Sequence, residues 1–140
     1  MPHTGQCLCG AVRLSIDADP LGARTCWCRD CQKFGGGNGT TNAFFPEAKI
    51  SCEGDVTWYE GVADSGNITH RGFCPKCGSP IFTKGSGRPD VCGVRVSILD
   101  NSSLAPPQAV IWTDSAPAWA VFDPALPKFP KAPPAPPPKA

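Results

Sequence analysis

Seven of the nine cysteines fall into three tight groups: Cys7-x-Cys9, Cys26-x-Cys28-xx-Cys31 and Cys74-Pro-Lys-Cys77-Gly. Thiols this close in sequence either pair as disulfides or hold metal. An odd count and repeated Cys-x-Cys pairs fit a disulfide framework poorly, because residues one apart on an extended chain point to opposite sides. The N-terminus, MPHTGQCLCGAVRL, has no basic region followed by an apolar run, so no secretory signal is read and a reducing, cytoplasmic setting is expected. Metal thiolates are therefore the favoured chemistry.

Cys74-Pro-Lys-Cys77-Gly is a zinc knuckle signature. Two thiolates two residues apart, followed by a glycine that accepts a positive φ, let backbone amides turn toward sulfurs bonded to Zn²⁺ at about 2.3 Å. One knuckle supplies two ligands, and Cys7/Cys9 competes with Cys26/Cys28/Cys31 to supply the rest. Seven thiolates make one closed four-ligand site and one three-ligand site with an open position, the feature that separates catalytic from structural zinc. Iron–sulfur spacings do not match. Cys52 and Cys92 lie in strand-like sequence and read as small buried hydrophobes. His3 reads as part of a mobile terminus, and His70 as a pocket candidate near Cys74. Gly35-Gly36-Gly37-Asn38-Gly39 lacks the Lys-Ser/Thr of a phosphate loop and is expected to form a flexible wall beside the Cys26–Cys31 group.

The elements that must position these thiols are strands. Val12, Leu14 and Ile16 alternate with Arg13, Ser15 and Asp17, the period of a half-buried strand. Further strands are expected at 41–45, 55–60, 67–73, 80–83, 91–98 and 109–112, all rich in β-branched or aromatic residues. Between them lie Gly/Asn/Asp/Pro turns. Helix is limited to a short turn over Cys28–Phe34 that Gly35 would stop. With 140 residues, 17 prolines, 15 glycines and a net charge of +1, the chain is expected to be one mainly β domain over residues 1–123 without a broad basic grip on nucleic acid. No apolar run is long enough for a membrane span. Residues 124–140, PALPKFPKAPPAPPPKA, are expected to be a disordered polyproline tail, or else a PxxP-type segment that docks a protein partner.

The order GQCLCGAVRL, TCWCRDCQKFGG, FFP, GDVTWYEG, HRGFCPKCGSPIF and SILDN through IWTDSAPAW resembles the glutathione-dependent formaldehyde-activating enzyme family, which includes centromere protein V. The resemblance covers most of residues 5–129. It implies a fold of several small coiled antiparallel β-sheets stapled by zinc, similar to Rab accessory proteins and B-type methionine sulfoxide reductases. It implies two Zn²⁺ per chain, a structural one on Cys7, Cys9, Cys74 and Cys77 and a catalytic one on Cys26, Cys28 and Cys31. It also implies a carbon–sulfur lyase resembling S-(hydroxymethyl)glutathione synthase, acting on a small thiol such as glutathione and a small aldehyde such as formaldehyde. Arg29 and Lys33 would offset the charge of three thiolates or meet a glutathione carboxylate. The chain departs from the family at Val110, where a histidine is frequent. Two other readings of the same residues are a zinc-stabilised binding module without catalysis and a thiol redox protein using the Cys26–Cys31 trio.

Overall fold

A computed structural model describes residues 2–63 and 65–133. Along the chain run β1 (His3–Gln6), β2 (Arg13–Ile16), β3 (Gly22–Cys26), α1 (Arg29–Phe34), β4 (Thr40–Pro46), β5 (Ile50–Glu53), β6 (Thr57–Val62), β7 (Ile68–Phe73), β8 (Pro80–Gly85), β9 (Val91–Arg95) and β10 (Val110–Ile111). They form a three-stranded sheet, β1-β2-β5, and a seven-stranded sheet in the order β10-β3-β4-β9-β8-β7-β6. Neighbouring strands are antiparallel except β10 beside β3. The mainly β class with little helix holds.

Alternation decides what the long sheet does with its two faces. Ala23, Ala43, Phe45, Cys92 and Val94 point to one side and pack with Val12, Leu14 and Ile16 of the small sheet into the core. Residues between them point the other way. Register aligns Arg24 with Asn42 and Arg95 in one row, and Phe44 with Gly93, Thr83 and Arg71 in the next. That second face is polar and cationic, and it is where the cysteine trio sits.

β1, β3 and β5 were not expected. Their sequences, HTGQ, GARTC and ISCE, hold few β-branched apolar residues, so pairing with neighbours decides them rather than propensity. His3 is held in β1, with its Nε2 2.9 Å from Asp19 Oδ1, and does not lie in a mobile terminus. The strand expected over 91–98 stops at Arg95, and a 3₁₀ turn over Val96–Ile98 follows.

Residues 127–131 lie along the free edge of β10, so the described chain does not leave the fold at 123. Val110 N–H donates to Pro127 O at 3.0 Å, Phe129 N–H to Val110 O at 2.9 Å, and Trp112 N–H to Lys131 O at 3.1 Å. Proline has no N–H to give, but its carbonyl still accepts, and this segment occupies a sheet edge, where proline is tolerated. The rest of the expected tail, 134–140, lies outside the described residues.

Candidate metal centres

Cys7 and Cys9 sit in the turn between β1 and β2, and Cys74 and Cys77 in the turn between β7 and β8. The two turns are built alike. Gly10 and Gly78 adopt φ of +80° and +76°, and their N–H groups donate to Cys7 O and Cys74 O at 3.1 and 2.8 Å. Val12 N–H reaches Cys7 Sγ at 3.3 Å, and Lys76 N–H reaches Cys74 Sγ at 3.4 Å. Such contacts stabilise thiolate charge. Ser79 links the halves: its Oγ accepts from Leu8 N–H at 3.1 Å and lies 3.2 Å from Cys77 Sγ. The Ser79 hydroxyl, with backbone N–H groups, lowers Cys77 to about 5.

The four sulfurs fit a tetrahedral ion. Bonds of about 2.3 Å place tetrahedral sulfurs about 3.8 Å apart. Cys7 and Cys9 Sγ are 3.7 Å apart, and Cys9 and Cys74 Sγ 3.8 Å. All four lie within 4.8 Å of one another, and none is in a disulfide. The cluster therefore ties the small sheet to the long one.

The second group is assembled differently. Cys26 ends β3, Cys28 caps the N-terminus of α1, and Cys31 lies one turn into that helix. Cys31 N–H donates to Cys28 Sγ at 3.3 Å, so a thiol occupies the capping place usually held by Ser or Asp. Gly35 closes the helix, as expected. Gln32 is buried and anchors the turn, with its Nε2 donating to Trp27 O at 2.7 Å and Ser115 O at 3.0 Å. The three sulfurs lie within 4.8 Å of one another. Cys26 and Cys31 are buried and Cys28 is half-buried. Hydrogen bonds from Cys26 and Cys28 hold Cys31 well below the ordinary thiol range, and hydrogen bonds with Cys28 and Cys31, together with burial, push Cys26 up.

A cleft of about 250 Å³ opens on this trio and is lined by Arg24, Phe44, Arg71, Lys84, Arg88 and Trp112. An adjoining lobe of about 320 Å³ shares Cys28, Arg24, Arg71 and Trp112 with it and adds Arg29, Asp30 and Ser115. Trp112 holds φ +58°, ψ +38°, a left-handed conformation rare for a bulky residue. Phe129, from the segment on β10, packs against the cluster of Cys26, Cys31 and Ile111.

The cations differ from those expected. Arg29 spends one N–H on Gln32 Oε1 at 2.6 Å, and Lys33 lines neither lobe. The cations around the trio come instead from the sheet: Arg24 and Arg71 line both lobes, and Arg95 is buried on the same face of the sheet. His70 faces Glu60, with Nε2 3.8 Å from its Oε1, and does not line the cleft. Nor do the glycines wall it. Gly35 and Gly39 line a separate cavity with Phe34 and Arg95.

The unclustered cysteines part company. Cys92 is buried in the core, and desolvation pushes it up to about 12, whereas Cys52 on β5 is exposed, contrary to expectation. β5 is an edge strand of the small sheet; Cys52 stands opposite the buried Leu14 on the same face, so its exposure comes from its place at the sheet's edge. Iodoacetamide is accordingly expected to modify Cys52 and spare Cys92 in the folded protein, as read by peptide mass mapping. Equal modification would contradict the burial of Cys92.

A mainly β fold with a four-thiol staple and a second, cleft-facing thiol trio defines a protein whose two cysteine clusters could hold zinc. The family model for "Glutathione-dependent formaldehyde-activating enzyme" matches residues 2–115, and the chain belongs to that family. A crystal structure of a Rhodobacter sphaeroides protein is similar to it, at 26% identity and a TM-score of 0.57 over 70% of this chain and 88% of that one. No curated protein matches the chain. No helix among the described residues is long and apolar enough to cross a membrane.

Proposed function

We propose that the chain is a zinc-dependent carbon–sulfur lyase of the S-(hydroxymethyl)glutathione synthase type. Cys7, Cys9, Cys74 and Cys77 hold a structural zinc, and Cys26, Cys28 and Cys31 hold a second at which a thiol and a small aldehyde meet. The observation that carries this reading is the cleft floor: three converging thiols that line a cationic pocket. A metal there supplies Lewis acidity and lowers the pKa of an incoming thiol.

The chain's own residues do the rest. Arg24 and Arg88 flank the Phe44 ring at 4.9 and 5.5 Å, presenting guanidinium groups suited to the carboxylates of glutathione. Ile111 and Trp112 give the cleft an apolar wall. Holding both reactants against it converts a bimolecular encounter into a local one. In the forward direction the thiol sulfur bonds to the aldehyde carbon, and the thiol proton ends on the aldehyde oxygen. The reverse step breaks that carbon–sulfur bond. A cytoplasmic setting would keep both the cysteines and a glutathione substrate reduced.

Formaldehyde and thiols also combine without a catalyst, so the test is one of rate. Exchange spectroscopy on an equilibrium mixture of glutathione, formaldehyde and their adduct is expected to show faster interconversion with the zinc-loaded protein. A rate equal to the protein-free rate, with both metals bound, would overturn the lyase reading.

A further inference from the structure

Trp112 is the one residue other than glycine with a positive φ among the described residues. A bulky side chain keeps that conformation only where its surroundings fix it. Here a late segment does so: Trp112 N–H donates to Lys131 O at 3.1 Å, Thr113 N–H to Phe129 O at 3.1 Å and Asp114 N–H to Pro130 O at 3.2 Å. On the other side Gln32 of α1 donates to Ser115 O at 3.0 Å. The turn over 112–115 is thus clamped between the helix that carries Cys31 and a strap over 127–133. The family model ends at residue 115, so the strap lies outside the match.

The strap also walls the site. Ala132 and Pro133 line the adjoining lobe together with Arg29, Asp30 and Ser115. Cys28, Arg24, Arg71 and Trp112 belong to both lobes, so the two spaces share the half-buried thiol of the trio. Their charges differ in kind. The charged side chains lining the first lobe among the described residues are all cationic, Arg24, Arg71, Arg88 and Lys84, the last paired with Glu47. The adjoining lobe adds a carboxylate, Asp30, to the guanidinium of its sequence neighbour Arg29, which spends one N–H on Gln32. Cations alone suit a bare carboxylate, whereas both signs suit a group that carries an ammonium beside a carboxylate. Glutathione has one end of each kind. Its sulfur stands mid-chain, its glycine end is a bare carboxylate, and its γ-glutamyl end is an α-amino acid.

We propose that the strap-walled lobe is the site for the α-amino-acid end of a γ-glutamyl thiol, with Arg29 taking its carboxylate and Asp30 its ammonium, while the glycine end lies in the cationic lobe. The proposal rests on reading the trio as a metal site that binds a thiol, and it makes Asp30 and Ala132 determinants of which thiol is chosen.

Cobalt substitution of the full chain tests it. The visible spectrum of Co²⁺ at the three-cysteine site reports added ligands, whereas the closed four-cysteine site has no place for one. Affinities are compared at a single pH for glutathione and for N-acetylcysteinylglycine, which keeps the sulfur and the glycine end but has an acetyl group in place of the γ-glutamyl arm. The unaltered chain should bind glutathione about tenfold more tightly, the size of effect expected of hydrogen bonds to charged groups. Asp30→Asn removes the partner of the ammonium, and Ala132→Trp fills the lobe from the strap. Both positions are exposed, so neither exchange disturbs the core. Each is expected to remove most of the preference for glutathione while leaving the acetyl thiol within about twofold. Equal affinities in the unaltered chain, parallel losses for both thiols in either variant, or an undiminished preference in either would overturn the proposal. Should the unaltered chain take no cobalt at the trio, or its spectrum answer to neither thiol, the reading of the trio itself fails, an outcome distinct from any loss of discrimination in the variants.

Discussion

Replacing Cys28 with serine is expected to lower the zinc content from two ions per chain to one and to abolish turnover, while leaving the protein folded. Cys28 is the half-buried member of its trio and lines both lobes of the cleft. Its other duty is to cap α1 by accepting from Cys31 N–H. Serine is among the preferred capping residues, so the helix start survives the exchange. The metal does not. With Cys26 and Cys31 alone, two thiolates remain, below the three ligands that open zinc sites use. Metal analysis with a thermal melt reads both effects, and activity should fall by at least about a hundredfold, the loss typical when a main electrostatic contributor is removed. One zinc in both proteins would show that the trio holds none.

The larger effect on stability is expected at the other cluster. Cys74 is fully buried, and its group brings the β1–β2 turn to the β7–β8 turn, where a bound zinc would link the two sheets. Structural zinc contributes apparent binding free energies of about 10–16 kcal/mol in small zinc domains, as large as the entire stability of a typical domain, about 5–15 kcal/mol. Cys74→Ser should therefore abolish cooperative unfolding, as should a strong chelator acting on the unaltered chain. Circular dichroism and a denaturant titration check it. A cooperative melt near that of the parent would mean that the hydrophobic core suffices without the staple. Read together, the two serine variants separate a site that holds the fold from one that the fold holds.

The two halves of the staple were legible in the sequence because each is local, while their pairing came only with the family resemblance. Cys-x-Cys and Cys-x-x-Cys-Gly announce their turns by spacing and by a glycine, and the structure places Gly10 and Gly78 at positive φ. The trio was legible for the same reason, down to a short helix ending at Gly35. What surrounds it was not. Arg24, Asn42, Arg71 and Arg95 come from four strands and meet only through register, with no signal in local spacing. Alternation along β9 turns Cys92 and Val94 toward the core and Arg95 to the opposite face. It is buried because α1 and its neighbours cover that face. β3, with Ala23 as its buried apolar residue, could be found only through its partners. The prolines misled in the opposite direction. Composition marks residues 124–131 as unable to join a sheet, yet an edge needs only the carbonyls that proline keeps.

The docked segment has a consequence for the order in which the protein is made. The trio is complete once residue 31 has been synthesised, but Phe129, which packs against it, follows about a hundred residues later. A chain emerging N-terminus first exposes the thiols of Cys26, Cys28 and Cys31 throughout that interval, before β10 and its partner segment can close over them. A metal bound by the trio could thus be acquired on a nascent chain before Phe129 packs against the thiols.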